Sequence, residues 1–98
     1  MITTKQRSNL KSLAHKLTPD VLIGKEGISQ NLIDQIETVL ENKELIKVKV
    51  LSNSSVKAKS IINELAEKLN AEPVLAVGGV MVLYRFSNKE GIQHIQLD

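Results

Sequence analysis

The stretch Leu45-Ile46-Lys47-Val48-Lys49-Val50-Leu51 constrains the fold more than any other part of this chain. Apolar and charged residues alternate through it with a period of two, the pattern of a strand with two unlike faces. Ile46, Val48 and Val50 share one face, and Lys47 and Lys49 share the other. The patterns on either side are helical. Leu32, Ile33, Ile36, Val39 and Leu40 form an apolar stripe before it, and Ala58, Ile61, Ile62, Leu65, Ala66 and Leu69 form another after it.

The rest of the chain extends this alternation. Thr3 and Gln6 stand at capping-box spacing before a first helix, whose stripe is Leu10, Leu13, Ala14 and Leu17. Thr18-Pro19-Asp20 ends it, because the residue before a proline resists the helical region. Val21-Leu22-Ile23 is a short buried strand. Ser29 is the natural N-cap of the second helix, and Asn53-Ser54-Ser55 supplies a turn and a cap for the third. Glu72–Val77 and Val80–Arg85 read as two strands joined through Gly78-Gly79, a favoured hairpin turn. The polar tail from Ser87 carries a weak alternation at Ile92, Ile95 and Leu97 that suggests an added edge strand. The expected fold is α/β in the order α-β-α-β-α-β-β. Two strand–helix–strand units favour parallel pairing, and the last hairpin forces one antiparallel strand, giving a small four-stranded mixed sheet with packed helices.

Ninety-eight residues make one domain, 1–98, with a core over about 4–86 and a tail over 87–98. The chain has no cysteine, which removes disulfides, thiolate metal sites and a cysteine nucleophile. The N-terminus lacks the apolar centre of a signal peptide and no run reaches membrane-span length, so a cytoplasmic protein is expected.

Between the first strand and the second helix lies Gly24-Lys25-Glu26-Gly27. Two glycines three apart bend the backbone sharply and remove side chains that would hold off a ligand's backbone. The amides of such a turn, and of the helix start after it, make a seat for a phosphate, and Lys25 adds a full charge at the tip. A GxxG loop grips nucleotides in this way without reading bases. The same four residues also suit a plain strand-to-helix connection.

The charge pattern is polarised although the net charge is only +2. Residues 1–25 carry Lys5, Arg7, Lys11, Lys16 and Lys25 against Asp20 alone, whereas 26–44 carry Glu26, Asp34, Glu37, Glu41 and Glu44 against Lys43 alone. This segregation fits either one binding face or two solvated helix faces. On the first helix Arg7, Lys11 and His15 line up along one side, with Lys5 and Lys16 extending the cationic surface. Lys47 and Lys49 add two charges on one strand face.

Enzymatic chemistry finds little to work with. The two histidines, His15 and His94, have no metal-ligand spacing, and the carboxylates fall mainly on helix exteriors. No catalytic residue, metal or cofactor is expected. Tyr84 and Phe86 are the only aromatics, so no stacking platform of the RRM or OB type is present.

Lys5-Gln6-Arg7, Leu13-Ala14-His15, Ile23-Gly24-Lys25-Glu26-Gly27, Glu44-Leu45-Ile46-Lys47-Val48-Lys49-Val50 and Leu83-Tyr84-Arg85 occur in this order. In that sequence of marks the chain resembles the CRM domain, the chloroplast RNA splicing and ribosome maturation module, in its single-domain bacterial YhbY-type form. The resemblance spans about Thr4 to Phe86. It implies a fold like the C-terminal domain of translation initiation factor three with an added N-terminal helix. It also implies RNA binding, with large ribosomal subunit precursors as the partner of stand-alone bacterial members. The family's GxxG loop falls on Gly24, Lys25, Glu26 and Gly27. One departure is Gly79, where the family often has a basic or polar residue in the last hairpin.

The expected RNA contacts are therefore Gly24, Lys25, Glu26 and Gly27, supported by Lys5, Arg7, Lys11, Lys16, Lys47 and Lys49, in a monomeric RNA-binding protein that is not an enzyme. The competing reading is an adaptor that docks a basic ribosomal protein on its acidic second helix.

Overall fold

The computed structural model of the protein describes residues 2–97. Its elements follow the expected order: α1 (Thr4–Ala14), β1 (Val21–Ile23), α2 (Gln30–Lys43), β2 (Leu45–Val50), α3 (Ala58–Leu69), β3 (Glu72–Val77) and β4 (Val80–Tyr84). The strands form one sheet in the order β1-β2-β4-β3. β1 runs parallel to β2, with Val21 opposite Val48 and Ile23 opposite Val50. β4 lies antiparallel between β2 and β3. The hairpin thus inserts its second strand beside β2 and leaves β3 at the edge. An edge strand tolerates Pro73, which has no amide to donate, and the pairing shifts there between Pro73 and Leu75.

The alternation in β2 separates two cores. Val21, Ile23, Ile46, Val48 and Val50 point to one side, where α2 and α3 cover them with Ile36, Leu40, Ile61, Ile62, Leu65 and Leu69. Leu45, Val82 and Tyr84 point to the other, where they meet Leu10 and Ala14 of α1 and, at the margin, Leu17, Ile95 and Leu97. The result is a sheet between helical layers. Ile46 and Val48 have no solvent exposure, and burying side chains of this size contributes roughly 1.5–3 kcal/mol each.

The caps explain the boundaries. Thr3 and Gln6 close a reciprocal capping box on α1, with bonds of 3.0 and 2.9 Å. Ser29 caps α2 by accepting from the Leu32 amide at 3.2 Å. The third helix departs from expectation: its N-cap is Lys57, without a side-chain cap bond, while Ser54 accepts from Val56 one turn earlier. α1 also stops at Ala14, so Leu17 reaches its core from a loop, and Leu13 stays partly exposed. The tail forms no strand among the described residues. Its Ser87 and Ile95 amides bond instead to the Glu44 carboxylate, both at 2.8 Å.

Candidate nucleic-acid interface

The GxxG loop is a tight turn, closed by the Gly27 amide donating to the Gly24 carbonyl at 3.0 Å. Its two glycines do different work. Gly27 is buried at φ 69°, in the left-handed region, and a Cβ there would lie 2.9 Å from Ser55 Oγ. It fastens the loop to the segment that leads into α3. Gly24 has ordinary backbone angles, and a Cβ would meet only Leu51 Cδ1 at 3.9 Å. The fold does not require glycine at position 24. Lys25 and Glu26 project into solvent at the tip. Beside them is a hollow of about 360 Å³ whose walls include Leu22, Ser29, Asn31 and Gln35, at the start of α2. α2 has no acidic residue in its first turn, so the positive end of its dipole is not offset there.

The two lysines of β2 part company. Lys49 is exposed on the α1 side of the sheet, level with Leu22 of β1, which is itself 55% exposed. Lys47 is half-buried, and its ammonium donates to the carbonyls of Leu17 at 3.1 Å and Ala14 at 3.4 Å. It closes the C-terminal end of α1, where a cation also complements the helix dipole. The expected open lysine face of β2 is thus reduced to Lys49, because α1 lies over the other half. Asp20 strengthens this junction by accepting from the Lys47 amide at 3.1 Å and from Lys43 Nζ at 2.6 Å.

On α1 Lys5 and Lys11 are exposed, as are His15 and Lys16 just past its end. Arg7 is half-buried, with Nη2 4.0 Å from Glu72 Oε1 and with its buried Nε unpartnered. Its charge is partly offset at the β3 edge. Lys5, Lys11, Lys16, Lys25 and Lys49 take part in none of the ion pairs among the described residues.

The acids of α2 are treated in the opposite way. Arg85, largely buried, pairs with Glu37 and with Glu41 at 2.6 Å, and donates to the Leu69 carbonyl at 2.8 Å. Glu44 is fully buried at the end of α2 and accepts from Ser87, Ile95 and His94. Burial pushes its carboxyl up, but the Ser87 amide, the His94 ring and the Ile95 amide outweigh burial and hold it below its ordinary value. Glu37, Glu41 and Glu44 are thus paired within the domain, while Lys5, Lys11, Lys16 and Lys25 take part in none of the ion pairs among the described residues.

Sequence reasoning gave His94 and Phe86 no part in a site. In the structure their rings stack, with centroids 4.7 Å apart, and His94 shares a groove with Lys5 and Lys16. No periodic signal marks that meeting, because it depends on where the tail docks. Among the described residues no group of histidines and carboxylates could hold a metal ion. No described helix is long and apolar enough to cross a membrane.

Comparison with known proteins places this arrangement. The CRS1/YhbY (CRM) domain model matches residues 2–85. An RNA-binding protein of Haemophilus influenzae is 39% identical over 92 residues, covering 94% of this chain and 93% of its own length. A Bacillus subtilis protein named as a probable RNA-binding protein is 39% identical over 89 residues, covering 91% of this chain and 93% of its own. The solution structure of a hypothetical protein from Staphylococcus aureus superimposes with a TM-score of 0.77 at 44% identity, over 92% of this chain and 94% of that one. Matched over nearly its whole length, the chain belongs to the CRS1/YhbY (CRM) domain family.

Proposed function

We propose that this protein binds RNA, gripping its backbone through Gly24, Lys25, Glu26 and Gly27. Lys5, Lys11, Lys16 and Lys49 supply the surrounding positive potential, Arg7 adds to it from a partly buried position, and Lys47 holds α1 in place. The observation that carries this reading is the asymmetry of pairing. Five lysines of the basic surface are left without ion-pair partners among the described residues, whereas Glu37, Glu41 and Glu44 are satisfied internally. A surface with free cations and few free acids attracts a polyanion. Relatives of matching length named as RNA-binding proteins support the same partner. The resemblance to stand-alone bacterial members extends the proposal to large ribosomal subunit precursors, met in the cytoplasm by a monomer that performs no catalysis.

The adaptor reading is less well supported. Arg85 already pairs with two of the α2 carboxylates that a basic partner would need, and Glu44 is inaccessible.

Gly24→Asp tests the loop. Position 24 is open and its φ is ordinary, so the variant should melt with wild type while losing affinity for ribosomal RNA by at least tenfold. A folded Gly24→Asp protein that titrates RNA like wild type would reduce the turn to a connector. Crosslinking in cells, with the bound RNA sequenced, identifies the substrate. Recovery of messenger or transfer RNA in place of large-subunit precursors would overturn the assembly role.

A further inference from the structure

The segment after Ser87 lies beyond the matched family region, residues 2–85, yet it is fastened firmly to the domain. Ser87, His94 and Ile95 converge on the Glu44 carboxylate at 2.7–2.8 Å. Asn9 donates from α1 to the Leu97 carbonyl at 3.1 Å, and Ile95 and Leu97 pack against the α1-side core. Between the docked tail and α1 runs an open groove of about 920 Å³. Its walls present Lys5 and Ser12 from α1, Lys16 from just beyond it, and Gln93, His94 and Gln96 from the tail.

Three properties of this groove point to one ligand chemistry. Lys5 stands in the first turn of α1 and Lys16 just beyond its C-terminal cap, so a cation marks each end of the groove. The imidazole of His94, which lines the groove, lies 8° from parallel to the ring of Phe86, which stands outside the lining behind it and is 56% exposed although it is an apolar aromatic. Glu44 holds Nδ1 of that imidazole, which fixes the ring plane. Between the cations, the Gln93 and Gln96 amides and the Ser12 hydroxyl offer both donors and acceptors. Unpaired nucleotides present all three complements: a flat π face, an edge of donors and acceptors, and anionic linkages on either side. A duplex hides its base faces. An acidic peptide would use the lysines and leave the ring pair without a partner.

The geometry points to a second RNA site in this groove, for unpaired nucleotides. A base stacks on the His94 ring that Phe86 backs at the rim of the groove, its edge bonds to the tail amides, and flanking phosphates lie on Lys5 and Lys16. The inference rests on the proposed RNA binding and adds a base-contacting site to a loop that grips only backbone.

The test titrates the full-length protein with a short oligouridine strand and with an abasic strand of the same length. Phe86→Ala should lose roughly 5- to 100-fold in affinity for oligouridine, with melting unchanged and the slope of log affinity against log salt unaltered. The abasic strand should bind wild type as weakly as oligouridine binds the variant, and should not distinguish the two proteins. Lys5→Ala and Lys16→Ala should weaken both strands alike. Oligouridine should also shift the His94 ring resonances in NMR spectra of the unmodified protein, a readout independent of any variant. Equal binding of the two strands by wild type overturns the proposal, as does an unshifted His94 ring. Displacement of oligouridine by polyglutamate, with the same His94 shift, overturns it in favour of an acidic protein partner. Gly24→Asp separates the two sites: loss there with Phe86→Ala silent removes the groove and leaves the loop, and the reverse removes the loop and leaves the groove.

Discussion

Glu44 sits at the end of α2 with φ 65°, a conformation that disfavours side chains other than glycine and asparagine. Such strain persists only where the surroundings enforce it. Here the enforcement is its own carboxylate, fully buried and bonded to Ser87, Ile95 and His94. The same contacts have a pH signature. The folded carboxyl titrates below its ordinary value of 4.5, so the charged form is the one that the fold favours. That stability is complete above the ordinary value and drains away as pH falls through the lower, folded value. Glu44→Gln keeps the shape and removes the charge. It should cost about 2 kcal/mol at neutral pH, or roughly 10 °C in melting temperature. It should also flatten the decline in stability below pH 4.5. Melting curves of both proteins across the acid range check this, and parallel declines would show that other carboxylates govern acid unfolding. Nearby, burial first and the Glu44 charge second push the Tyr84 phenol up at the floor of the α1 core.

At the scale of elements, the hairpin turn is fixed by two glycines for two reasons. Gly78 has φ 59° with open space around it. A Cβ on Gly79 would lie 2.7 Å from the Val50 carbonyl, a backbone atom that cannot swing aside. This explains the departure at the hairpin, since a basic residue at position 79 would break the approach to β2. Gly79→Ala should destabilise the domain by about 1–3 kcal/mol. It should also accelerate amide exchange at Val50, whose N–H donates to the Gly79 carbonyl. Protection at Val50 equal to wild type would mean that the sheet absorbs the methyl group. The strands and helices themselves were legible because their periodicity is local: Ile46, Val48 and Val50 alternate wherever the sheet ends up. What periodicity cannot carry is which layer covers which face. Lys47 and Lys49 look equivalent in sequence, yet α1 crosses one and leaves the other open. The alternation of Ile95 and Leu97 likewise reads as a strand, but the Ile95 amide finds a carboxylate before it finds a sheet edge. At the loop, both glycines were visible as a pair. Only the fold distinguishes Gly27, required by a left-handed turn against Ser55, from Gly24, where a Cβ would meet only Leu51 Cδ1 at 3.9 Å.

The whole molecule has a net charge of only +2, too little to draw a polyanion if it were spread evenly. Folding sorts it instead. Arg85 and the tail take up the acids of α2, and the unpaired lysines remain on α1, at the loop and on β2. At physiological ionic strength charges beyond about 8 Å are screened, so each lysine acts through the phosphate nearest to it. Binding should then follow counterion release: log affinity falls linearly with log salt, by roughly 0.7 per contact on single-stranded RNA. Lys25→Ala should weaken binding to many RNA sequences alike and reduce that slope by about 0.7. Lys47→Met is the informative contrast. Its ammonium faces the Ala14 and Leu17 carbonyls, so the variant should melt lower by loosening α1 and leave the salt slope where it was. The pair thus tests whether Lys47 holds the fold while Lys25 holds the ligand. If Lys47→Met flattens the slope as much as Lys25→Ala does, the β2 lysine face touches RNA. α1 would then have to move aside in the complex.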